Sequence, residues 1–241
     1  MVTTRSFFRG SILIVLAWMA TASMAYAAQA GSITRLKGDV FIARPDVPVV
    51  TAKGDDAINE GDLVTTAKGA EALIRFKDNT IITLRPDSSM LVKSFRHEEK
   101  ASDSFLTNLL KGGLRTVTGL LGKTRPESVN FTTPTATIGI RGTDFEIAIL
   151  QDDTADARAG TYNYVHDGST SLGLEKAETG PTSIIVKPEE TGLALANPRP
   201  GEPALQILKQ RPAFLRGGGF DAHMMQIMNQ PIRAIQVMPR R

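Results

Sequence analysis

The chain of 241 residues contains no cysteine. This absence excludes disulfide bonds, a lipid anchor on an N-terminal cysteine and any cysteine nucleophile. The single tryptophan, Trp18, lies near the N-terminus, and only three histidines are present. After the N-terminal segment, no apolar run is long enough to span a membrane.

The first residues have the pattern of a secretory signal peptide. Two arginines precede an uninterrupted apolar run at residues 12–20, and small residues follow it. The pattern predicts a signal peptide over residues 1–27, with cleavage after Ala27, or after Ala30 at a second Ala-x-Ala motif. An uncleaved anchor helix is the alternative, but a membrane span needs about 20 strongly apolar residues. We therefore expect a periplasmic or secreted protein, with no membrane span after cleavage.

Charge gives little support for a nucleic-acid partner. The chain has 28 basic and 25 acidic residues, and the predicted signal peptide contains two of the basic ones. The remaining 26 basic and 25 acidic residues nearly cancel, which is not typical of a nucleic-acid-binding domain.

Short stretches with period-two alternation predict an all-β fold. Residues 72–76 alternate in this way, Asp78-Asn79 suits a tight turn, and residues 81–84 supply the partner strand. Leu63–Thr66 and Thr191–Leu195 read as further strands. Such near-regular spacing favours a short-stranded β-sandwich or a β-solenoid-like domain over residues 31–150.

One or two short helices are expected to interrupt the strands. Ser102 or Asp103 could cap the first helix, which would end at Gly112-Gly113. Its apolar face would consist of Phe105, Leu106, Leu109 and Leu110.

Further hairpins are expected in residues 151–197, where Asp167-Gly168 has the composition of a hairpin turn. Residues 198–241 read as a proline-rich linker and an irregular basic tail with one short helix. From residue 199 onward, seven basic and two acidic residues give a net charge of +5. The helix would pack on the β-domain or dock a partner through its methionines. These are Met224, Met225 and Met228.

The most informative stretch spans residues 131–147. Ala136, Ile138 and Ile140 alternate with polar residues, and a second alternating run follows Gly142. A glycine between two such runs predicts a bend or a close backbone approach.

Two interpretations of Arg141, beside that bend, remain open. In the first, its guanidinium satisfies backbone carbonyls or the carboxylate of Asp144. In the second, it forms an anion-binding spot with Thr137 and Thr143. Gly142 would provide the bend in either case.

This central stretch resembles the signature of the FecR domain family. The resemblance rests on Thr133-Pro134 and Ile140-Arg141-Gly142-Thr143-Asp144-Phe145. Residues 61–66, 73–81 and 113–115 support it. The resemblance covers about residues 31–150 and implies an all-β domain that faces the cell envelope. The best-known members are transmembrane regulators of iron uptake that restrain a sigma factor and carry a cytoplasmic segment. Since only residues 1–11 precede the apolar run here, we expect that cytoplasmic part to be lacking.

Two classes of function follow. The first is a non-enzymatic interaction or regulatory module that binds another envelope protein, and the second is a module that binds an envelope glycan or a small anion. No nucleophile–base pair or metal-ligand spacing is apparent, so we expect no catalytic residue, no metal and no cofactor. The oligomeric state is not predicted.

Overall fold

The computed structural model describes residues 28–215, apart from residues 46 and 99. Within these residues, strands account for 55% and helices for 6%, so the expected all-β class is confirmed. The helical residues form one short helix, α1, at Leu120–Thr124 and 3-10 turns at Pro126–Ser128 and Ala213–Leu215. None of the helices in this part of the chain has the length and hydropathy to cross a membrane.

Sixteen strands in the described residues form one curled, mixed sheet. In chain order they are β1 Gln29–Lys37, β2 Val40–Arg44, β3 Val47–Thr51, β4 Ala57–Asn59, β5 Leu63–Thr66, β6 Glu71–Phe76, β7 Ile81–Leu84, β8 Ser89–Arg96, β9 Ser104–Lys111, β10 Gly113–Val117, β11 Val129–Thr132, β12 Thr137–Leu150, β13 Gly160–Gly173, β14 Ser183–Val186, β15 Thr191–Leu195 and β16 Leu205–Leu208. Strands β5, β7 and β15 have the bounds that the sequence predicts.

Strand β12 is the branch point of this sheet. Along one edge, residues 137–139 pair with β11, whereas residues 144–148 pair with β10. The other edge pairs with β13 over most of its length. From β12 the sheet therefore continues in two arms, β11-β9-β8-β5-β2-β3 and β10-β7-β6-β1-β4.

The two arms face each other across a common core, as the layers of a sandwich do. The ring centroid of Phe76 on β6 lies 4.5 Å from that of Phe105 on β9 and 5.6 Å from that of Phe95 on β8. Phe131 and Phe145 continue this chain of ring contacts to β12. Burial of each ring contributes about 1.5–3 kcal/mol, and the ring contacts add to it.

The alternation predicted for the central stretch is found in β12. Ile138, Phe145 and Ile147 are fully buried, and Ile140 is nearly so, whereas Arg141 is exposed. The apolar face of the strand thus supplies the core, and its polar face is available for other contacts.

The prediction of a helix near residues 102–112 is wrong, because this stretch forms strand β9. Phe105, Thr107 and Leu109 are buried, while Leu110 is exposed, which is a period of two. The apolar residues fit a helical face as well as they fit a strand. Pairing of β9 with β8 and, in parallel, with β11 satisfies its backbone and selects the strand.

The hairpin turn expected at Asp167-Gly168 is also wrong, since β13 continues through both residues. Gly168 has φ +78° and lies near Gly142, which has φ +55°, where the register of β12 and β13 shifts. A Cβ on Gly168 would lie 2.3 Å from the carbonyl oxygen of Gly142. The bend predicted at Gly142 is therefore one half of a bulge that both strands share.

Ordered structure extends into the stretch that the sequence assigns to the linker and tail. Strand β16 pairs with β15, and residues 209–215, here called the C-terminal strap, return across the sheet. Leu215 is fully buried, and the ring of Phe214 contacts that of Tyr162 edge-on at 4.9 Å. The strap completes a second apolar cluster with residues from β13 and β15. These are Tyr162, Tyr164, Leu193 and Leu195.

Candidate functional site

A polar row crosses three neighbouring strands beside the bend in β12. Asn130 on β11 pairs with Gly139 on β12, which pairs with Ser171 on β13. Two residues further along β12, Arg141 pairs with Ser169. Residues at i and i+2 of a strand share a face, so these polar side chains emerge on the same side of the sheet.

Helix α1 and the following 3-10 turn form one wall beside this row. The hydroxyl of Thr118 donates to the carbonyl of Thr143 at 3.1 Å and accepts its N–H at 2.9 Å, which fixes the start of α1 on β12. Ile185 on β14 lines the same space and is half exposed. The resulting cleft has a volume of about 810 Å³. We call it the Arg141 cleft. Its polar lining includes Lys123, Glu127, Asn130, Arg141, Ser169 and Ser171.

Asp144 is held by Arg115 and not by Arg141. Arg115 Nε donates to Asp144 Oδ1 at 2.9 Å, and its Nη2 donates to Oδ2 at 2.8 Å. This two-pronged contact joins β10 to β12, and both side chains are largely buried. The expected pairing of Arg141 with Asp144 is therefore not found.

Arg141 is exposed, and within the described residues it forms no hydrogen bond and no ion pair. Most arginines of the domain do have such partners. These are Arg44, Arg75, Arg85, Arg115, Arg125, Arg158 and Arg211. The guanidinium of Arg141 is therefore open to solvent at the edge of the cleft.

The residues predicted around the bend thus have different roles. Arg141 and Gly142 line the cleft. Thr137 is exposed but lies outside its lining, and Thr143 is buried where it anchors the start of α1. Lys123, Ser169 and Ser171 were not predicted, because only strand pairing and the position of α1 bring them to Arg141.

A second charged cluster lies around Glu146, which is fully buried on β12. Its carboxylate lies 2.6 Å from Arg85 Nη2 and 2.6 Å from His166 Nε2, and it also accepts a hydrogen bond from Arg211 of the strap. The guanidinium of Arg211 lies 4.2 Å from the centre of the Tyr164 ring. This cluster fastens the strap to the sheet.

The pKa of Glu146 reflects its surroundings. Burial alone would raise this pKa, but the hydrogen bond with His166 and the charges of Arg85 and Arg211 hold it below its ordinary value. A carboxylate surrounded by cationic groups in this way stays ionised and serves as a structural anchor.

The described residues contain no group of three or more acidic, histidine or cysteine side chains that could hold a metal ion. Met224, Met225 and Met228, the predicted docking residues, lie outside the described part of the chain. Their role stays a prediction.

With this geometry in view, the chain was compared with known proteins. Residues 62–162 match the family model FecR protein. The resemblance to the FecR domain is thereby confirmed. The matched residues contain β5 to β12 and the beginning of β13, and they include Lys123 and Arg141.

Two solved structures resemble part of this chain. Both are crystal structures, at 2.50 and 1.65 Å resolution, of a Parabacteroides distasonis protein described as a "putative anti-sigma factor". Each of the two is 16% identical in sequence to this chain, and the TM-scores are 0.45 and 0.44. The matched region covers 61% of this chain and 59% of the solved chain in both cases. The similarity thus spans less than two thirds of either chain. No curated protein matches the sequence.

Proposed function

We propose that the chain is an exported, non-enzymatic regulatory module that binds another protein of the cell envelope. The match of residues 62–162 to FecR protein carries the proposal, because that family is regulatory rather than catalytic. The signal-peptide pattern of residues 1–27 supports a periplasmic location.

The open edge of β3 supports a protein partner. This strand is the last one of its arm, and among the described strands it pairs only with β2. Val47, Val49 and Val50 are between 38% and 62% exposed. Ala52 N–H donates to the carbonyl of Val40 at 2.8 Å, and Val50 pairs with Ile42. By alternation, Thr51 therefore turns its backbone groups away from β2. An extended segment of a partner can pair with such an edge.

Pro48 lies at the register shift between β2 and β3, where two residues of β3 face one residue of β2. A proline blunts an edge when its missing N–H lies on the outer side. We therefore assign the partner to residues 49–51, on the outer edge of β3 beyond Pro48.

A photocrosslinking residue at Val49 tests the proposal in cells that export the protein. We expect one discrete crosslinked envelope protein, and we expect Val49→Lys to weaken its co-purification with the chain. The matched control is the same photocrosslinking residue at Ile207, which is 42% exposed on β16. An identical crosslinking pattern from both positions would contradict the assignment to β3.

Export is tested separately by the mass of the protein from the periplasmic fraction. We expect a chain that begins at Ala28 or Gly31. Full-length protein in the membrane pellet would contradict the proposed location. It would not contradict the proposal that a partner binds at the edge of β3.

A further inference from the structure

The Arg141 cleft combines polar groups that the protein itself does not use. Among the described residues, no hydrogen-bond or ion-pair partner is found for the side chains of Lys123, Arg141, Ser169 or Ser171. The amide of Asn130 makes a single long contact, 3.4 Å, to a backbone carbonyl. These donors and acceptors converge on one concave surface, which is how a polar ligand is recognised.

The floor of the cleft depends on Gly139. A Cβ at this position would lie 2.6 Å from the hydroxyl oxygen of Ser171 and 3.6 Å from the amide oxygen of Asn130. A residue with a side chain would therefore cover both polar groups. Glycine keeps them open to the cleft.

The charge and the volume of the cleft limit the classes of ligand that it can bind. Lys123 and Arg141 supply two positive charges and Glu127 one negative charge, which leaves a net charge of +1 in the lining. A group with one negative charge balances this, whereas a phosphate dianion would leave one negative charge uncompensated beside Glu127. A planar carboxylate also matches the fork of an arginine. The volume of about 810 Å³ exceeds what a bare ion needs and suits a larger molecule.

We propose that the Arg141 cleft binds a carboxylate-bearing sugar chain. Arg141 and Lys123 hold the carboxylate, and Asn130, Ser169 and Ser171 bond to the sugar hydroxyls. Ile185 supplies an apolar surface at the far wall. No residue of β3 lines the cleft, so this ligand and a protein partner would bind at different places on the domain.

Titration calorimetry of the purified chain with sialyllactose, a trisaccharide with a single carboxylate, tests the proposal. We expect saturable binding, weakened about tenfold or more in Arg141→Gln and in Lys123→Gln because each loses a charge-assisted hydrogen bond. Arg35→Gln is the matched control, since Arg35 is an exposed arginine of β1 that has no partner in the described residues. It should bind as the unmodified chain does.

Neutral maltotriose and inorganic phosphate separate the parts of the proposal. We expect neither to bind comparably. No saturable binding of sialyllactose, or an equal loss in Arg35→Gln and Arg141→Gln, would overturn the proposed site. Equal affinity for maltotriose would overturn the role of the carboxylate, and equal affinity for phosphate would overturn the role of the sugar. Equal melting temperatures of the variants would confirm that these effects concern binding and not folding.

Discussion

Gly142 bends β12 at the point where its pairing passes from β11 to β10. Its φ of +55° is a conformation that a β-branched residue adopts only with strain. We expect Gly142→Val to lower the free energy of unfolding by about 1–3 kcal/mol. A Cβ at this position would have the carbonyl oxygen of Gly122 as its nearest neighbour, 3.8 Å away, so strain rather than collision is the cause.

Urea denaturation measures this effect. Gly54→Val is the control, because no atom lies near that glycine and its φ is ordinary. If both variants unfold at the same urea concentration as the unmodified chain, the bend does not require glycine.

Arg115 has a carboxylate partner in the fold, whereas Arg141 has none among the described residues. Because Arg115 binds Asp144 through two hydrogen bonds, we expect Arg115→Lys to lower the free energy of unfolding by about 1–3 kcal/mol. Arg141→Lys should leave stability unchanged, since no partner is lost. Urea melts of the two variants compare them directly, and a destabilised Arg141→Lys variant would restore the structural interpretation of Arg141.

The C-terminal strap is an element that the sheet holds through a few side chains. Leu215, in the 3-10 turn at the end of the strap, is fully buried. Leu215→Ala should therefore release the strap from the apolar cluster. The loss should remain below the roughly 2–5 kcal/mol of a core Leu→Ala change, because the strap can detach without unfolding β13.

Hydrogen exchange followed by mass spectrometry would report this release as faster exchange in residues 205–215. Ile207→Ala removes a side chain of similar size from an exposed position and should not change the exchange. Unchanged exchange in Leu215→Ala would mean that the strap is held by the Glu146 cluster alone.

The stability of the whole domain should fall in acid because of Glu146. Its pKa is lowered in the folded protein by His166, Arg85 and Arg211. A lowered carboxyl pKa contributes stability above the unfolded pKa of about 4.3, and this contribution is lost as pH falls through the folded pKa. We therefore expect the unmodified chain to lose more stability between pH 6 and pH 3 than Glu146→Gln does.

Denaturant titrations at each pH measure that difference. Glu146→Gln should be the less stable of the two at pH 6, because it leaves buried cationic groups without their carboxylate. Parallel pH profiles of both proteins would show that other carboxylates dominate acid unfolding.

The local pattern of residues was sufficient for the β class, for strands such as β5, β7 and β15, and for the bend at Gly142. Alternation and turn formation depend on residues that are close in the sequence, so the sequence alone is sufficient to predict them. The same reasoning failed at Phe105 and at Asp167-Gly168. There, pairing with distant strands satisfied the backbone and overrode the local preference.

The candidate site depended on contacts between distant residues. Arg115 lies 29 positions from Asp144 in the sequence. Lys123 lines the same cleft as Ser169 and Ser171 only because α1 packs beside β12 and because β12 and β13 pair in this register. No periodicity encodes such pairs, because long-range register follows from how the complete sheet buries its apolar face. The composition excluded disulfides and cysteine chemistry, but only the folded sheet showed that Arg141 lies beside a cleft and has no partner among residues 28–215 that the structure describes.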